Sequence, residues 1–399
     1  MKVLVAGDLY LTPSNIDDIK QKGLDKVVSE EISSIVRGGD FAIVNYESPI
    51  SETRDNSIKK GGILKTGPVL STSPEGMEIA KSTGFDCVTL ANNHIRDIGS
   101  KGIENTLQYA KNEGILSVGA GRTKSEAQKA LYITIEGIRL AIVNFCENEF
   151  STLASIDTPQ ANAYNPVENF YQIQEAKRQS DVVLVIVHAG HEMYPLPSPR
   201  MKRDFRFFVD AGADAVVCHH AHCYMGYEVY HEAPIFYGLG NFIFDEGSRT
   251  ASIWNYGILL ELSFSKGTDG VKSSFILHPY LQGLQGSPYL LQLLNEDEKG
   301  AFEKDIEEKN KIIANDELLR EKFHSFSSKR SLEKMILSPY SSRIMRALNT
   351  RGLVPSFINR KRKLLLTNIL RCEAHRDLLT TDLELSYHLV DGQDEINSK

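Results

Sequence analysis

"GADAVVCHHAHCYMG", residues 212–226, decides how this chain is read. The apolar run 215–218 has the pattern of a buried strand. It delivers His219, His220 and His222 within four positions, in a chain with only 11 histidines. Residues 220 and 222 share one face of an extended strand. In a tight turn past the strand end, the same two rings reach two adjacent ions. His219 points to the other face, as a packing residue or a support for its neighbours. Several polar rings buried at one rim are costly unless something compensates them. A divalent metal does so, because imidazole and carboxylate are the ligands of ions such as Mn, Fe and Zn.

Working outward, short apolar runs alternate with helix-like segments from residue 1 to about 260. Strands are expected at 2–8, 40–48, 85–94, 115–121 and 213–220. One or two helices lie between 16 and 39 and end at Gly38-Gly39; others are expected at 73–84, 100–114 and 198–212. Residues 128–146 read as a hairpin turning at Glu136-Gly137. "DVVLVIVHAG", 181–190, is nearly all apolar and β-branched, the mark of a strand covered on both faces. Residues 233–245 and 256–265 look like strands of a sheet edge. The alternation implies a layered α/β domain with a sheet covered by helices. After about residue 290 the chain is helical, charged and free of strand patterns. Two units are therefore expected, 1–285 and a helical C-terminal extension 286–399. "NRKRK", 359–363, reads as a solvated helix face or as one turned to a membrane surface or partner.

Composition narrows the function classes. The 399 residues are 41% hydrophobic and 24% charged, near the globular average. Net charge is −7, which gives no reason to expect nucleic-acid binding. Five cysteines are scattered, without CxxC spacing, and read as reduced core residues. The start "MKVLVAGDLYLT" lacks a long apolar region and a cleavage site, and no apolar run approaches 18 residues. A cytoplasmic protein is expected. No GxGxxG or Walker pattern follows a strand, which weighs against a nucleotide-binding α/β protein.

Ligand sites in such domains collect where strands end. Asp8 lies there behind Gly7, whose missing side chain allows close approach to an ion. Glu47 could bridge two cations, and Asn45, on the same face, would ligate or orient. Asn93 offers an amide oxygen and His94 a proton-donating imidazole after the run ending at Asn92. His188 ends the fully apolar strand. His191 and Glu192 would line a substrate pocket or form a plain loop, and "PLPSP", 195–199, looks like a rigid loop that could form a lid. Asn241 and Asp245 support ligands rather than ligate. Arg96 and Asp97 pair or cap the next helix. Lys59 and Lys60 would meet an anionic substrate or stay solvated. Six of the 11 histidines sit at three strand ends; those at 231, 278, 324, 375 and 388 are scattered.

The succession GD, NxE, ANNH, VxVHxGxE, GADxVxxHHxH and GLGNFxF resembles the bacterial capsule-synthesis CapA family, of the poly-γ-glutamate type. That family looks like a branch of the calcineurin-like metallophosphoesterases. The resemblance spans roughly residues 2–265, with "ANNHIRDIGSKGIENTL", "GADAVVCHHAH" and "YGLGNFIFD" as its specific pieces. It implies a four-layer αββα metallophosphoesterase-like sandwich with a dinuclear centre at the strand ends. Asp8 and His222 would hold the first metal, Glu47 would bridge, and Asn93, His188 and His220 would hold the second. His94 would protonate the leaving oxygen. Asn45, Asn92, His191, Glu192, His219 and Asn241 would contact substrate or support the ligands. Two features depart from the ordinary phosphoesterase pattern. Leu9-Tyr10 follow Asp8 where that pattern has Asp-x-His, and Asn45-x-Glu47 stands where it has a second Asp.

The expected function is a metal-dependent hydrolase with two divalent ions (Mn, Fe or Zn). It would act on a phosphoester or related anionic substrate, an anionic polymer among them, in capsule or surface-polymer biosynthesis. The alternative is a non-catalytic assembly factor whose helical C-terminus docks on capsule-biosynthesis proteins.

Overall fold

A computed structural model of the chain describes residues 1–52, 63, 65, 67–244, 252–267, 270–283, 289–330, 348, 353 and 360–386. The first part runs β1 (Lys2–Tyr10), α1 (Pro13–Lys22), α2 (Glu30–Arg37), β2 (Phe41–Tyr46) and α3 (Glu75–Thr83). It continues through β3 (Cys87–Thr89), α4 (Ser100–Asn112), β4 (Leu116–Val118) and β5 (Ala120–Gly121). Next come α5 (Lys124–Ala127), β6 (Leu131–Ile135), β7 (Ile138–Cys146), β8 (Gln160–Ala161) and α6 (Pro166–Gln179). Then follow β9 (Val182–Ala189), α7 (Pro199–Asp210), β10 (Ala215–His220), β11 (Tyr227–Tyr230) and β12 (Ala233–Phe236). The last strands are β13 (Asn241–Phe244), β14 (Tyr256–Gly267), β15 (Gly270–Gln282) and β16 (Leu291–Leu293). Helices α8 (Glu296–Ala314), α9 (Asp316–Arg330), α10 (Arg360–Arg371) and α11 (Glu373–Ser386) complete the described chain.

Two sheets form. The first runs β16-β15-β14-β1-β2-β3-β4, with β13 also paired to β1; the second runs β11-β12-β10-β9-β7-β6. The two-residue period of a strand decides what each face meets. Val3, Val5, Leu140, Ile142, Leu184, Ile186 and Val217 point into one shared core, so the sheets pack face to face. Their neighbours point outward. Leu4 and Ala6 meet Ile16, Ile32 and Met77 of the helices on one side. Val183, Val185 and Val216 meet Ile173, Phe205 and Phe208 on the other. The result is a four-layer αββα sandwich. It also explains why β9 is one unbroken apolar run: all its residues are buried, half against each layer.

The C-terminal helices stay on this frame. Leu319 and Phe323 of α9 and Leu378 of α11 join the outer core of the second sheet. Arg360–Lys363, in the first turn of α10, are exposed. Among the described residues, no helix is long and apolar enough to cross a membrane.

Four expectations need correction. The segments read as sheet-edge strands lie inside the sheets: β14 sits between β15 and β1, and β12 between β11 and β10. The partner that makes β14 internal, β15, lies in a stretch for which the sequence pattern predicted no element. The strand expected over 85–94 is only three residues long, since its continuation turns toward the site. Gly7 is required by backbone rather than by an ion: a Cβ there would stand 2.0 Å from the Gly240 carbonyl oxygen. "PLPSP" is no lid, for Leu196 is buried in the outer core and Ser198 caps α7.

Candidate metal centre

Strand register assembles the cluster. Asp8 of β1 pairs with Asn45 on one side and Asn241 on the other. In the second sheet, His188 pairs with His219 and Ala189 with His220. After His220 the chain leaves the strand abruptly, with φ of 93° at His220 and 53° at His222. Non-glycine residues rarely adopt such angles, and they concentrate where function holds a backbone in place. The turn swings both rings inward, the tight-turn version of the expected geometry.

Two groups of donors result, and they share one carboxylate. Asp8, Glu47 and His222 form the first; Glu47, His188 and His220 form the second; the ligand-type atoms within each lie within 4.8 Å of one another. His188 Nε2 is 3.5 Å from Glu47 Oε1 and 3.0 Å from Asn93 Oδ1, which brings Asn93 to the second group. His222 Nε2 is 3.8 Å from the same Glu47 oxygen, and its Nδ1 is 3.6 Å from Asp8 Oδ2. All six of these side chains are buried.

Surrounding groups orient the donors. Asn45 donates its amide to Asp8 Oδ1 at 2.7 Å and sits 3.3 Å from His188 Nδ1. The His220 backbone N–H donates to Asp8 Oδ2 at 3.1 Å. Asn241 Oδ1 lies 2.8 Å from His222 Nδ1, fixing that ring. Asn92 accepts the backbone N–H groups of His94 and Ile95 and donates to the Tyr46 carbonyl, so it holds the turn. His219 Nδ1 is 3.5 Å from Asp8 Oδ1, and neither of its ring nitrogens has a hydrogen-bond partner.

The electrostatics are those of a site short of positive charge. Both oxygens of Glu47 are buried without a hydrogen-bond partner. Burial first, then the Asp8, Glu192 and Glu149 carboxylates, drive its pKa well up. Burial also raises Asp8, against the pull of His222 and the Asn45 amide. Burial and the neighbouring imidazoles push His188 well below its ordinary value, and burial pushes His219 down to about 3. Neutral imidazoles and unpartnered carboxylate oxygens are the ligand forms a cation requires. The residues present therefore fit divalent ions.

His94 follows Asn93 of the second group in the chain. Its Nδ1 is 2.7 Å from Asp97 Oδ2, and Lys65 Nζ is 2.6 Å from Asp97 Oδ1 and 3.2 Å from the same His94 nitrogen. Asp97 is thus a buried partner of His94, not the helix cap or Arg96 partner expected. Its Oδ2 also accepts the Leu70 N–H at 2.8 Å. His94, Asn93 and His220 face a cavity of 330 Å³, which His191 and Glu192 also line. Sequence reasoning missed Lys65, Asp97, Glu149 and His375, all at this cavity or its edge. Only Asp97, three residues after His94, left a local signal. Lys59, Lys60 and Asp245 lie outside the described residues.

Residues 2–246 match the family model described as "Bacterial capsule synthesis protein PGA_cap". The chain is 31% identical to the capsule biosynthesis protein CapA of Bacillus anthracis over 253 residues, 62% of this chain and 60% of that one. It is 32% identical to the PGA biosynthesis protein CapA of Bacillus subtilis (strain 168) over 258 residues, 62% of this chain and 66% of that one. It thus spans less than two thirds of the length of either relative. Among solved structures, a putative 5'-nucleotidase from Staphylococcus aureus in complex with alpha-ketoglutarate aligns at 14% identity and a TM-score of 0.45, over 76% of this chain and 57% of that one. With the match covering more than half of its residues, the chain belongs to the bacterial capsule synthesis protein family PGA_cap.

Proposed function

We propose that this chain is a metal-dependent hydrolase acting on a phosphoester or related anionic substrate in capsule or surface-polymer biosynthesis. The observation that carries the reading is Glu47: a fully buried carboxylate, unpartnered at both oxygens, common to two donor groups. Asp8 and His222 would hold one divalent ion, Asn93, His188 and His220 a second, with Glu47 between them. Manganese, iron and zinc all suit this mix of oxygen and imidazole donors. Such ions supply Lewis-acid polarisation of a phosphoryl oxygen and a nucleophile available at neutral pH.

The chain's own residues do the rest. Asp97 accepts the Nδ1 proton of His94, which leaves Nε2 as the nitrogen that exchanges a proton with substrate. In that position His94 protonates the leaving oxygen, help typically worth about 10²–10⁴-fold. Lys65 neutralises Asp97 and keeps the pair in a fixed geometry. Asn45 and Asn241 hold Asp8 and His222 in place.

A second reading, a non-catalytic assembly factor, is favoured by one observation. The first donor group has three members, with Leu9-Tyr10 where an ordinary phosphoesterase has a further histidine. Metal analysis of the purified chain decides, paired with turnover of bis(4-nitrophenyl) phosphate in Mn, Fe and Zn. The hydrolase reading expects bound metal and turnover, both lost in a His220→Ala/His222→Ala double variant. Equal and negligible metal in both proteins refutes the metal centre, whereas retained metal without turnover of any ester supports the assembly factor. All five cysteines are buried and unpaired, which supports the proposed cytoplasmic location, to be checked by cell fractionation.

A further inference from the structure

The cavity at the metal-type residues has two chemically different walls. His94, Glu149 and His220 line one, from the sandwich; Phe326, Leu365 and Ile369, with Asn368 and His375 beside them, line the other, from the C-terminal helices. The apolar wall comes from residues beyond 246, outside the segment matched to the family.

That wall is tied down rather than loosely laid on. At the start of α11, Glu373 accepts the Asn148 backbone N–H at 2.9 Å and its side-chain amide at 2.8 Å. Next to it, the Ala374 carbonyl is 2.8 Å from His191 Nε2. Three residues on, Asp377 accepts from Arg200 Nε at 2.6 Å and Ser198 Oγ at 3.1 Å. Asn148, His191, Ser198 and Arg200 all follow strands of the second sheet, so the roof is fixed to the same frame as the cluster. Ligand sites are apolar over most of their lining, with a few placed polar groups, and run from roughly 300 to 1,000 Å³. At 330 Å³ this cavity has room for one compact molecule.

We infer that the C-terminal roof makes Leu365 and Ile369 specificity-determining residues. They select a compact anion, phosphoryl at one end and carrying an apolar group of about the size of one ring at the other, bound end-on. The anionic end rests on the hydrolase reading; the apolar end rests on the roof alone.

Calorimetry on the manganese-loaded 399-residue chain tests this without requiring turnover. Phenylphosphonate and methylphosphonate share the anionic end and differ only in the apolar one. Phenylphosphonate should bind about tenfold or more tightly, as burial of a ring implies. Leu365→Trp, which fills the space, should bring its affinity down to that of methylphosphonate, with manganese content and circular dichroism unchanged. Ile369→Gln is the second variant, and it should erase the same preference by making the wall polar. Equal affinities in the unaltered chain, no binding of either phosphonate, or a preference surviving both substitutions would overturn the inference. So would a long-chain polyphosphate that displaces phenylphosphonate at matched phosphate concentration. Absence of ester turnover with the phenyl preference intact counts against the hydrolase reading alone.

Discussion

His94 Nδ1 and Asp97 Oδ2 lie 2.7 Å apart, three residues along the chain and away from solvent. An aspartate in that place fixes which imidazole nitrogen carries the proton and where the other points. Asp97→Asn keeps the shape and lets the ring adopt the other tautomer. The expected loss in kcat is about 10²–10⁴-fold for an alkyl phosphoester. It should be much smaller for a 4-nitrophenyl ester, whose leaving group needs little protonation. Metal content stays at the unaltered level. An equal loss on both substrates, in a pH-rate comparison, would assign Asp97 a structural role only.

Glu47 offers a pH test in the metal-free protein. Its folded pKa lies well above the ordinary 4.5, mainly through burial and then the Asp8 carboxylate. A raised acid pKa means that the folded state holds its proton more tightly than the unfolded state. Its contribution is therefore intact below pH 4.5 and is lost progressively as pH rises above that value. Glu47→Gln removes the ionisation. Chelator-treated variant and parent should melt together near pH 4, and the variant should melt higher as pH rises toward 8. With manganese added the order reverses, because only the parent keeps the shared carboxylate. Melting curves across this range, with and without metal, check both signs.

Much of this was legible in the sequence. The strand-end residues Asp8, Glu47, Asn93, His188, His220 and His222 each follow an apolar run. Register within each sheet, His188 opposite His219 and Asp8 opposite Asn45, the packing of the two sheets and the turn at His220 and His222 bring them together. The supporting groups were not legible for a physical reason. Lys65 acts across 32 residues on Asp97, and Arg200 across 177 on Asp377, so no local spacing announces either. The helical tail showed its helices but not its place, because charged surface sequence hides which residues face a cavity. His375, read as one of the scattered histidines, lines that cavity.

The chain's single tryptophan supplies a direct readout of the cluster. The Trp254 ring lies 4.9 Å from the His222 ring and 5.2 Å from that of Phe244. Cobalt or manganese bound by Asp8, Glu47 and His222 would sit close enough to quench its emission. Titration should give a saturable decrease, reversed by chelator and absent in Glu47→Gln. Emission unchanged by a stoichiometric amount of retained metal would place that metal elsewhere.

Arg200 joins the sandwich to its roof. Its guanidinium meets Glu147 at the end of β7, Asp204 on its own helix at 3.3 Å and Asp377 on α11 at 2.6 Å. Burial pushes the Glu147 carboxyl up to about 8, with Arg200 opposing. Removing one partner of a buried pair leaves uncompensated charge and costs about 3–5 kcal/mol. Arg200→Ala should therefore destabilise the chain by about that amount well above pH 8, where the Glu147 carboxyl is ionised. As pH falls through 8 toward 5, Glu147 takes up a proton and needs no cation, so the deficit should shrink. Denaturant melts at pH 5 and pH 8.5 read this difference. Hydrogen exchange locates it: amides of 373–386 should lose protection first, while those of β9 keep theirs. A deficit independent of pH would mean that Arg200 acts through packing rather than charge.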